Sequence, residues 1–363
     1  MKELRQVVLM DVMSGRHARD LTQEQKKRAL RYLMFLKEKR CGMIKGRGCV
    51  DGRPQRLWKN KEDTTSPTVT IESLLLSCMM DAMEKRDVAT IDIPSAFMQA
   101  FIDELVHIKF DDEIIDLLCE VDPSLKQYVA YENGKRVLYT KLNKALYGTV
   151  QASRLFWERL SSFLIDANGF KRNPYDFCVV NKTVNGKQLT IVWYVDDLKV
   201  SHEDPNVVSD AIETLKAEFG KVSDLTIRRG KVHDYLGIEF DFSKIGKVVM
   251  SMDGYISDLL EEAPDELLKG TGSSPASNYL FNVNPKCERL NTETAAIYHH
   301  LTAKLLYLAK RTRPDLLTAV SFLCTRVQAP DRDDWKKLGC CLTYLQYTKG
   351  EKYTLAADGS WVV

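Results

Sequence analysis

The sequence predicts an α+β fold: a β-sheet with helices in the middle of the chain, a basic N-terminal region and a helical C-terminal lobe. Three observations carry this expectation. Runs rich in β-branched and aromatic residues alternate with helical patterns through the middle of the chain. Two such runs, Leu189–Trp193 and Leu198–Ser201, flank Tyr194-Val195-Asp196-Asp197 as the arms of a hairpin. Beyond residue 291 only helical patterns remain, near 292–311, 314–328 and 332–348.

The elements follow in order. Thr22-Gln23-Glu24-Gln25 has a capping-box pattern and opens a helix expected to run to about Arg40, closed by Cys41-Gly42. Residues 43–56 read as a short basic hairpin turning at Asp51-Gly52. A helix from Ile71 to Lys85 has Leu74, Leu75, Cys78, Met79 and Ala82 at helical spacing. The strand Val88–Ile93 follows and contains one acid, Asp92. Residues 103–136 are mixed and polar and read as an insertion over the sheet. A long helix from Gln151 to Asn168 ends at Gly169. Strands at 177–180 and 189–194 join through Asn185-Gly186. Asp204-Pro205 is an N-cap and first-turn pair for a helix to Phe219. Tyr235–Asp241 alternates as one strand and pairs with 248–250. Residues 264–291, rich in Pro, Gly, Ser and Asn, read as a linker.

At 363 residues the chain exceeds one ordinary core, so two or three subdomains are expected. An apolar fraction of 44% and a charged fraction of 28% fit a globular protein. No run is long enough to cross a bilayer, and the N-terminus lacks the apolar segment of a secretion signal. The expectation is a protein of the cytoplasm or nucleus without a membrane partner. Nine cysteines without Cys-x-x-Cys spacing read as reduced thiols, not zinc ligands. The net charge of +2 hides an asymmetry: residues 1–61 carry 17 Lys and Arg against 6 Asp and Glu. Residues 103–122 are strongly acidic. A basic face suggests a polyanion; a solvated helix face explains Lys26, Lys27 and Arg28 equally well.

Adjacent carboxylates on an apolar hairpin tip repel each other, and that cost points to a compensating cation. Asp92, an acid inside an apolar strand 104 residues before Asp196, is the natural third member. Alone, Asp92 also fits an N-cap, since Pro94-Ser95 follows. If the strands are neighbours, the carboxylates converge at one end of the sheet. Hard oxygen donors favour two Mg²⁺ ions, or Mn²⁺, over zinc, an arrangement suited to phosphoryl transfer. His299-His300 cannot chelate one ion well from adjacent helix positions and is expected at the surface or in contact with a template.

Several ordered segments then resemble the reverse transcriptases of copia-type retrotransposons. Ile91-Asp92-Ile93-Pro94-Ser95-Ala96-Phe97-Met98-Gln99 is similar to the first catalytic motif. Leu142–Arg154 is similar to the next, with Ser153 where the family usually has proline. Gly169-Phe170-Lys171 with Asp176-Phe177-Cys178 resembles the stretch before the catalytic hairpin, and Tyr194-Val195-Asp196-Asp197 the hairpin itself. Tyr235-Leu236-Gly237-Ile238 resembles the palm–thumb junction, and Thr312-Arg313-Pro314-Asp315 a marker of the helical lobe. Lys45-Gly46-Arg47-Gly48 and Thr65-Ser66-Pro67 look like fingers motifs. Six ordered matches are far more specific than one tetrapeptide.

The resemblance implies a right-hand polymerase with fingers, an antiparallel palm sheet with helices, and a helical thumb. Its parts would be an N-terminal basic helical region (1–40), fingers (41–87), palm (88–110), fingers or insertion (111–150), palm (151–251), thumb or connection (252–350) and the start of a following segment (351–363). The implied activity is that of an RNA-directed DNA polymerase, a nucleotidyltransferase, acting on template-primer RNA or DNA and deoxynucleoside triphosphates. Asp92, Asp196 and Asp197 would be catalytic and would hold the metals together with the backbone carbonyl of Ile93. Phe97 would gate the sugar; its alternative is plain core. Lys45 and Arg47 would meet the triphosphate, and Gly148 and Gln151 the incoming base pair. Lys231 and Lys221 are both candidates to protonate pyrophosphate. No protease or integrase segment is visible, and Asp358 reads as a turn residue. The chain therefore reads as the polymerase part of a longer polyprotein, whose other parts would be further partners, or as a truncated copy. The rival reading is a catalytically silent, truncated or domesticated retroelement protein that binds nucleic acid.

Overall fold

The computed structural model describes residues 1–38, 42 and 44–357. The chain divides into two compact units, Met1–Ser73 with Ile91–Arg228, and Leu74–Thr90 with Arg229–Val363. No described helix is long and apolar enough to cross a membrane. The eight described cysteines are free thiols.

The first unit contains a sheet of Met13–Arg16, Lys135–Leu142, His107–Asp111, Leu30–Glu38 and Ile44–Val50, in that order, with Val129–Glu132 also on Lys135–Leu142. Its core takes Leu30, Tyr32, Ile108, Phe110 and Leu138 from the strands, Leu4 and Val7 from the helix Lys2–Leu9, and Ile115 and Leu118 from the helix Asp112–Val121. Two expectations change here. The capping box at Thr22 forms, but its helix stops at Arg28 instead of reaching Arg40. Leu30 and Tyr32 are buried around an exposed Arg31, so the period is two, and the strand pairs with Ile44–Val50 from Tyr32↔Val50 to Glu38↔Ile44. The basic segment is therefore the second arm of a hairpin that begins upstream. Asp51-Gly52 is no hairpin turn: the Asp51 carboxylate accepts the Arg53 N–H (3.1 Å) and guanidinium (2.6 and 2.8 Å) as a 3₁₀ turn begins. The expected closing residue Cys41 and the turn residue Asp358 lie outside the described residues.

The second change concerns residues 103–136, which belong to this sheet and its covering helix rather than to an insertion over it. Some of their acids pair with the basic N-terminal region: Asp111 with Arg31 (2.8 Å), Glu104 with Lys59 (3.2 Å) and Glu132 with Lys26 (2.7 Å). Part of the basic excess is thus neutralised within the unit by the acidic segment, which removes it from any polyanion footprint.

A second sheet carries the aspartates. Lys171–Arg172, Val179–Val184, Lys187–Tyr194 and Asp197–His202 lie side by side, and Asp87–Asp92 is next to Asp197–His202. Asn185 and Gly186 both have positive φ (53° and 77°), as a two-residue hairpin turn demands. The helix Ala152–Ser162 continues as a π-helical turn, Phe163–Ala167, and closes at Gly169 (φ 70°) through a Gly169 N–H to Ile165 carbonyl bond of 3.0 Å. Asp204 caps Pro205–Phe219 by accepting the Asn206 N–H at 2.9 Å.

The second unit has a four-stranded sheet, Val232–Tyr235, Ile238–Asp241, Lys247–Ser251 and Tyr353–Ala356. The single strand expected over Tyr235–Asp241 is two strands, because Leu236 and Gly237 (φ 52° and 75°) form a turn between them. Four helices, Asp253–Glu262, Thr292–Ala309, Leu317–Arg326 and Arg332–Tyr347, account for the helical lobe. Residues 264–291 are mostly irregular but anchored: Lys337 donates to the Asn282 carbonyl (2.6 Å) and Thr343 to that of Leu267 (3.1 Å). The Thr312–Asp315 segment is a structural staple, with buried Arg313 donating to Asp315 (2.7 Å) and to the Thr348 hydroxyl (2.6 Å).

Candidate active site

The hairpin Lys187–Tyr194 and Asp197–His202 is closed by the pair Tyr194↔Asp197, leaving Val195 and Asp196 as the two turn residues. Val195 adopts φ 57°. A β-branched residue is strained in that region, by about 1–3 kcal/mol, and such strain concentrates at functional sites. The turn fixes Asp196 at the tip and Asp197 at the start of the return strand.

One backbone bond brings the distant acid to the tip: the Ile93 N–H donates to the Asp196 carbonyl at 3.0 Å. Asp92, the residue before, is exposed, while Ile91 and Ile93 on either side are buried. The strand thus ends with its carboxylate free to face solvent beside the hairpin. Electrostatics report the same convergence. The Asp197 carboxyl is pushed up to about 6, by burial first and then by the negative charges of Asp196 and Asp92. The Tyr147 hydroxyl is also pushed up to about 12, mainly by burial and next by Asp196, with smaller influences from Glu3, Arg47 and Asp92.

The shift at Asp197 has a consequence for stability. The folded protein holds this proton more tightly than the unfolded chain does, whose carboxyl titrates near ~4. Stability of the metal-free protein therefore falls as pH rises from about 4 to about 6, then levels. Asp197→Asn is expected to flatten this fall and to stabilise the metal-free protein at neutral pH, by on the order of 1 kcal/mol once solvent screening is allowed for. Thermal melts in chelator below and above this window check it, and an unchanged slope in the variant would contradict it.

Phe97 lies on a 3₁₀ turn, Ala96–Gln99, that begins at Ser95 (φ 56°) and is closed by a Met98 N–H to Ser95 carbonyl bond of 2.9 Å. Its neighbours Ala96 and Met98 are fully buried, whereas Phe97 is half-buried, its ring 4.8 Å from that of Tyr147. The two rings form one aromatic surface whose Tyr147 half feels the charges of Asp196 and Asp92. Tyr147 is the residue that sequence reasoning passed over. The only signal was its place in a run of motif residues, Leu146-Tyr147-Gly148, where it looks like one more core aromatic.

Arg47 is exposed on the strand Ile44–Val50, close enough to Tyr147 to influence its hydroxyl. Lys45 is on the same strand, and its side chain lies outside the described residues. Gly148 (φ 95°) sits against backbone: a Cβ there would overlap the Val50 carbonyl. The adjacent Tyr147 carbonyl accepts the Val50 N–H at 2.8 Å. Close approach of two chain segments thus requires this glycine. Gly148→Ala should cost about 3 kcal/mol, from overpacking and backbone strain together, measurable by chemical denaturation; a loss below about 1 kcal/mol would refute this packing.

Gln151 is fully buried. Its amide donates to Glu104 (2.8 Å) and accepts from Gln55 (3.1 Å), and Gln55 in turn accepts the Val150 N–H (3.1 Å). The structure thus places Gln151 in a satisfied polar network, holding the segment after Gly148 to the 3₁₀ turn Arg53–Leu57. Lys221 is exposed and pairs with Glu218 at 3.3 Å. Lys231 belongs to the second unit, in the bend between two strands, where its carbonyl accepts the Phe242 N–H at 2.7 Å. The structure brings together Asp92, Ile93, Asp196, Asp197 and Phe97 with Tyr147.

The residues at the hairpin fit a hard divalent cation: exposed or half-buried carboxylates, one of which has its pKa raised by burial and by its neighbours' negative charge. A tighter group lies elsewhere among the described residues, where ligand atoms of Cys287, Asp331 and Asp333 are within 4.8 Å of one another. There Asp331 is the N-cap of Arg332–Tyr347, accepting the Asp333 and Asp334 N–H groups (both 3.0 Å) and pairing with Arg326 (3.2 Å). That carboxylate is already satisfied by capping.

Residues 18–270 match the family described as reverse transcriptase (RNA-dependent DNA polymerase), and the chain belongs to this family. It is 24% identical over 314 residues to the retrovirus-related Pol polyprotein from transposon TNT 1-94 of Nicotiana tabacum, covering 85% of this chain and 22% of that protein. It is 25% identical over 327 residues to the Pol polyprotein from transposon RE1 of Arabidopsis thaliana, covering 87% and 20%. It is 24% identical over 261 residues to a putative transposon Ty5-1 protein of Saccharomyces cerevisiae, covering 71% and 76%. The chain spans about a fifth of the length of the two plant polyproteins. Among solved structures, a foamy viral protease-reverse transcriptase in complex with double-stranded DNA is similar at a TM-score of 0.43 and 11% identity, covering 93% of this chain and 46% of that one. The copia-type reverse transcriptase kinship expected from the sequence agrees with these relatives, and the expected α+β class with the mixed helices and sheets of the structure.

Proposed function

We propose that this chain extends a primer 3′-hydroxyl with deoxynucleotides on an RNA or DNA template. The observation that carries the reading is the 3.0 Å bond from Ile93 to Asp196, which seats Asp92 beside the hairpin acids. Asp92 and Asp196 would hold two divalent cations, Mg²⁺ or Mn²⁺, with the Ile93 carbonyl, and Asp197 would contribute the weaker third carboxylate. Such ions, when bound, supply charge that favours the attacking alkoxide and the leaving pyrophosphate. The chain's own residues do the positioning. Arg47 offers a guanidinium to the triphosphate, joined by Lys45 on the same strand. Phe97, backed by Tyr147, presents a ring edge to the sugar. Gly148 and Gln151 act one step back, by fixing the segment next to that surface. A proton reaches pyrophosphate from Lys221 or Lys231, and alanine variants of each separate the two.

The reaction needs little covalent work from the protein, so catalysis is placement plus charge stabilisation. The test is primer extension by the purified chain on an RNA and on a DNA template with Mg²⁺. Incorporation supports the reading. Template binding without incorporation would leave a nucleic-acid-binding retroelement protein.

A further inference from the structure

The loop that leads into the catalytic sheet carries a second surface that nucleotide addition does not use. Tyr175 is 94% exposed and Phe177 51% exposed. Large rings in solvent are ordinarily signs of a floppy segment, but this one is tied down at both ends. The Asn173 side chain accepts the N–H of Tyr175 (2.8 Å) and Asp176 (3.3 Å). The buried Asp176 carboxylate accepts the Thr70 N–H (2.9 Å), the Thr70 hydroxyl (3.1 Å) and the Cys178 N–H (2.9 Å). The rings are therefore held outward by a fixed backbone.

Beside them, the Arg172 guanidinium lies 5.1 Å from the Trp157 ring and 5.7 Å from the Phe177 ring. Arg172 has rings for neighbours and makes no ion pair among the described residues. Lys171 and Lys182 add exposed positive charge on the same two strands. Of the acids nearby, Glu158 is paired with Arg154 at 2.6 Å, while Asp166 accepts the Ser162 hydroxyl at 2.6 Å and keeps its charge. A cavity of about 390 Å³ opens between Trp157 and Arg172. Strand register sets where this surface is. Val179 pairs with Val192, and the Trp193 N–H donates to the Cys178 carbonyl (3.0 Å), so Phe177 lies at the same end of the sheet as Asp196 and Asp197.

We propose that Trp157, Arg172, Tyr175 and Phe177 form a stacking platform for an unpaired nucleic-acid strand. Exposed rings interleaved with unneutralised cations are what a single strand needs: faces for its bases and charge for its phosphates. A duplex hides its base faces and gains nothing from the rings. The inference rests on the polymerase reading only for the source of the strand, the unpaired template beside the hairpin.

The test is the double variant Tyr175→Ala with Phe177→Ala, both sites being exposed enough for the fold to survive, with a thermal melt as control. Fluorescence anisotropy measures affinity for a labelled 20-nucleotide oligo(dT) and for a blunt duplex of equal length, without nucleotide or Mg²⁺. Stacking by one ring is worth roughly 1–3 kcal/mol, so a loss of about tenfold or more is expected for the single strand and under about twofold for the duplex. Equal losses on both, or none, would overturn the proposal. A changed sedimentation coefficient with oligo(dT) affinity intact would also overturn it, by showing that the surface docks protein. Since no turnover is involved, failure of the platform and failure of the polymerase reading are told apart by primer extension of the wild-type chain.

Discussion

Asp196→Asn abolishes primer extension while leaving template-primer affinity within about twofold. The substitution keeps the shape of the hairpin tip and removes one negative charge. Its backbone carbonyl still accepts the Ile93 N–H, so the seat of Asp92 survives. What is lost is the anionic oxygen at the point where three carboxylates crowd together. Charge stabilisation by a bound metal is worth several kcal/mol, and each 1.36 kcal/mol is about tenfold in rate, so the expected loss is about a thousandfold or more. Extension and template binding measured on the same preparation decide it. Wild-type rates in the variant would remove Asp196 from the chemistry, and with it the case for this site.

Phe97→Val relaxes the choice of sugar. The ring is half-buried between fully buried Ala96 and Met98, and it leans on Tyr147 at 4.8 Å. A plain core residue on this turn would be as buried as its neighbours. Valine leaves the backbone of the turn intact and opens the space that the 2′-hydroxyl of a ribonucleotide requires. Steric discrimination of this kind is worth about 1–3 kcal/mol, so the preference for deoxynucleotides over ribonucleotides in kcat/KM should fall by roughly tenfold to a hundredfold. Tyr147→Leu, which removes the ring behind Phe97, should lower that preference in the same direction by a smaller factor. An unchanged preference in Phe97→Val would return the residue to a packing role.

Much of the site was legible in the sequence because its members break local rules. Asp92 is an acid in an apolar strand, and Asp196-Asp197 are two acids at one bend, so residue type and position alone make each of them conspicuous. The hairpin was equally legible, since Asn185-Gly186 and the apolar arms speak in one register. Other elements were hidden for physical reasons. In the run after Arg28, the helix ends without a glycine or proline, and Leu33, Met34, Phe35 and Leu36 in a row show neither period clearly. Pairing with Ile44–Val50 decides in favour of a strand. Residues 103–136 looked like an insertion because charge dominates them. Their acids meet basic residues from far along the chain, such as Arg31 with Asp111, and no local pattern encodes that. The roles of Gly148 and Gln151 could be named from a resemblance, but their contacts to Val50 and Gln55 are tertiary and had no sequence signature.

The account turns on whether Asp92 and Asp196 share cations. The direct measurement is anomalous scattering from Mn²⁺ in crystals of the chain with template-primer and a deoxynucleoside triphosphate. The account predicts manganese peaks bonded to carboxylate oxygens of both Asp92 and Asp196. Peaks confined to Cys287, Asp331 and Asp333, with the hairpin carboxylates bare, would contradict it.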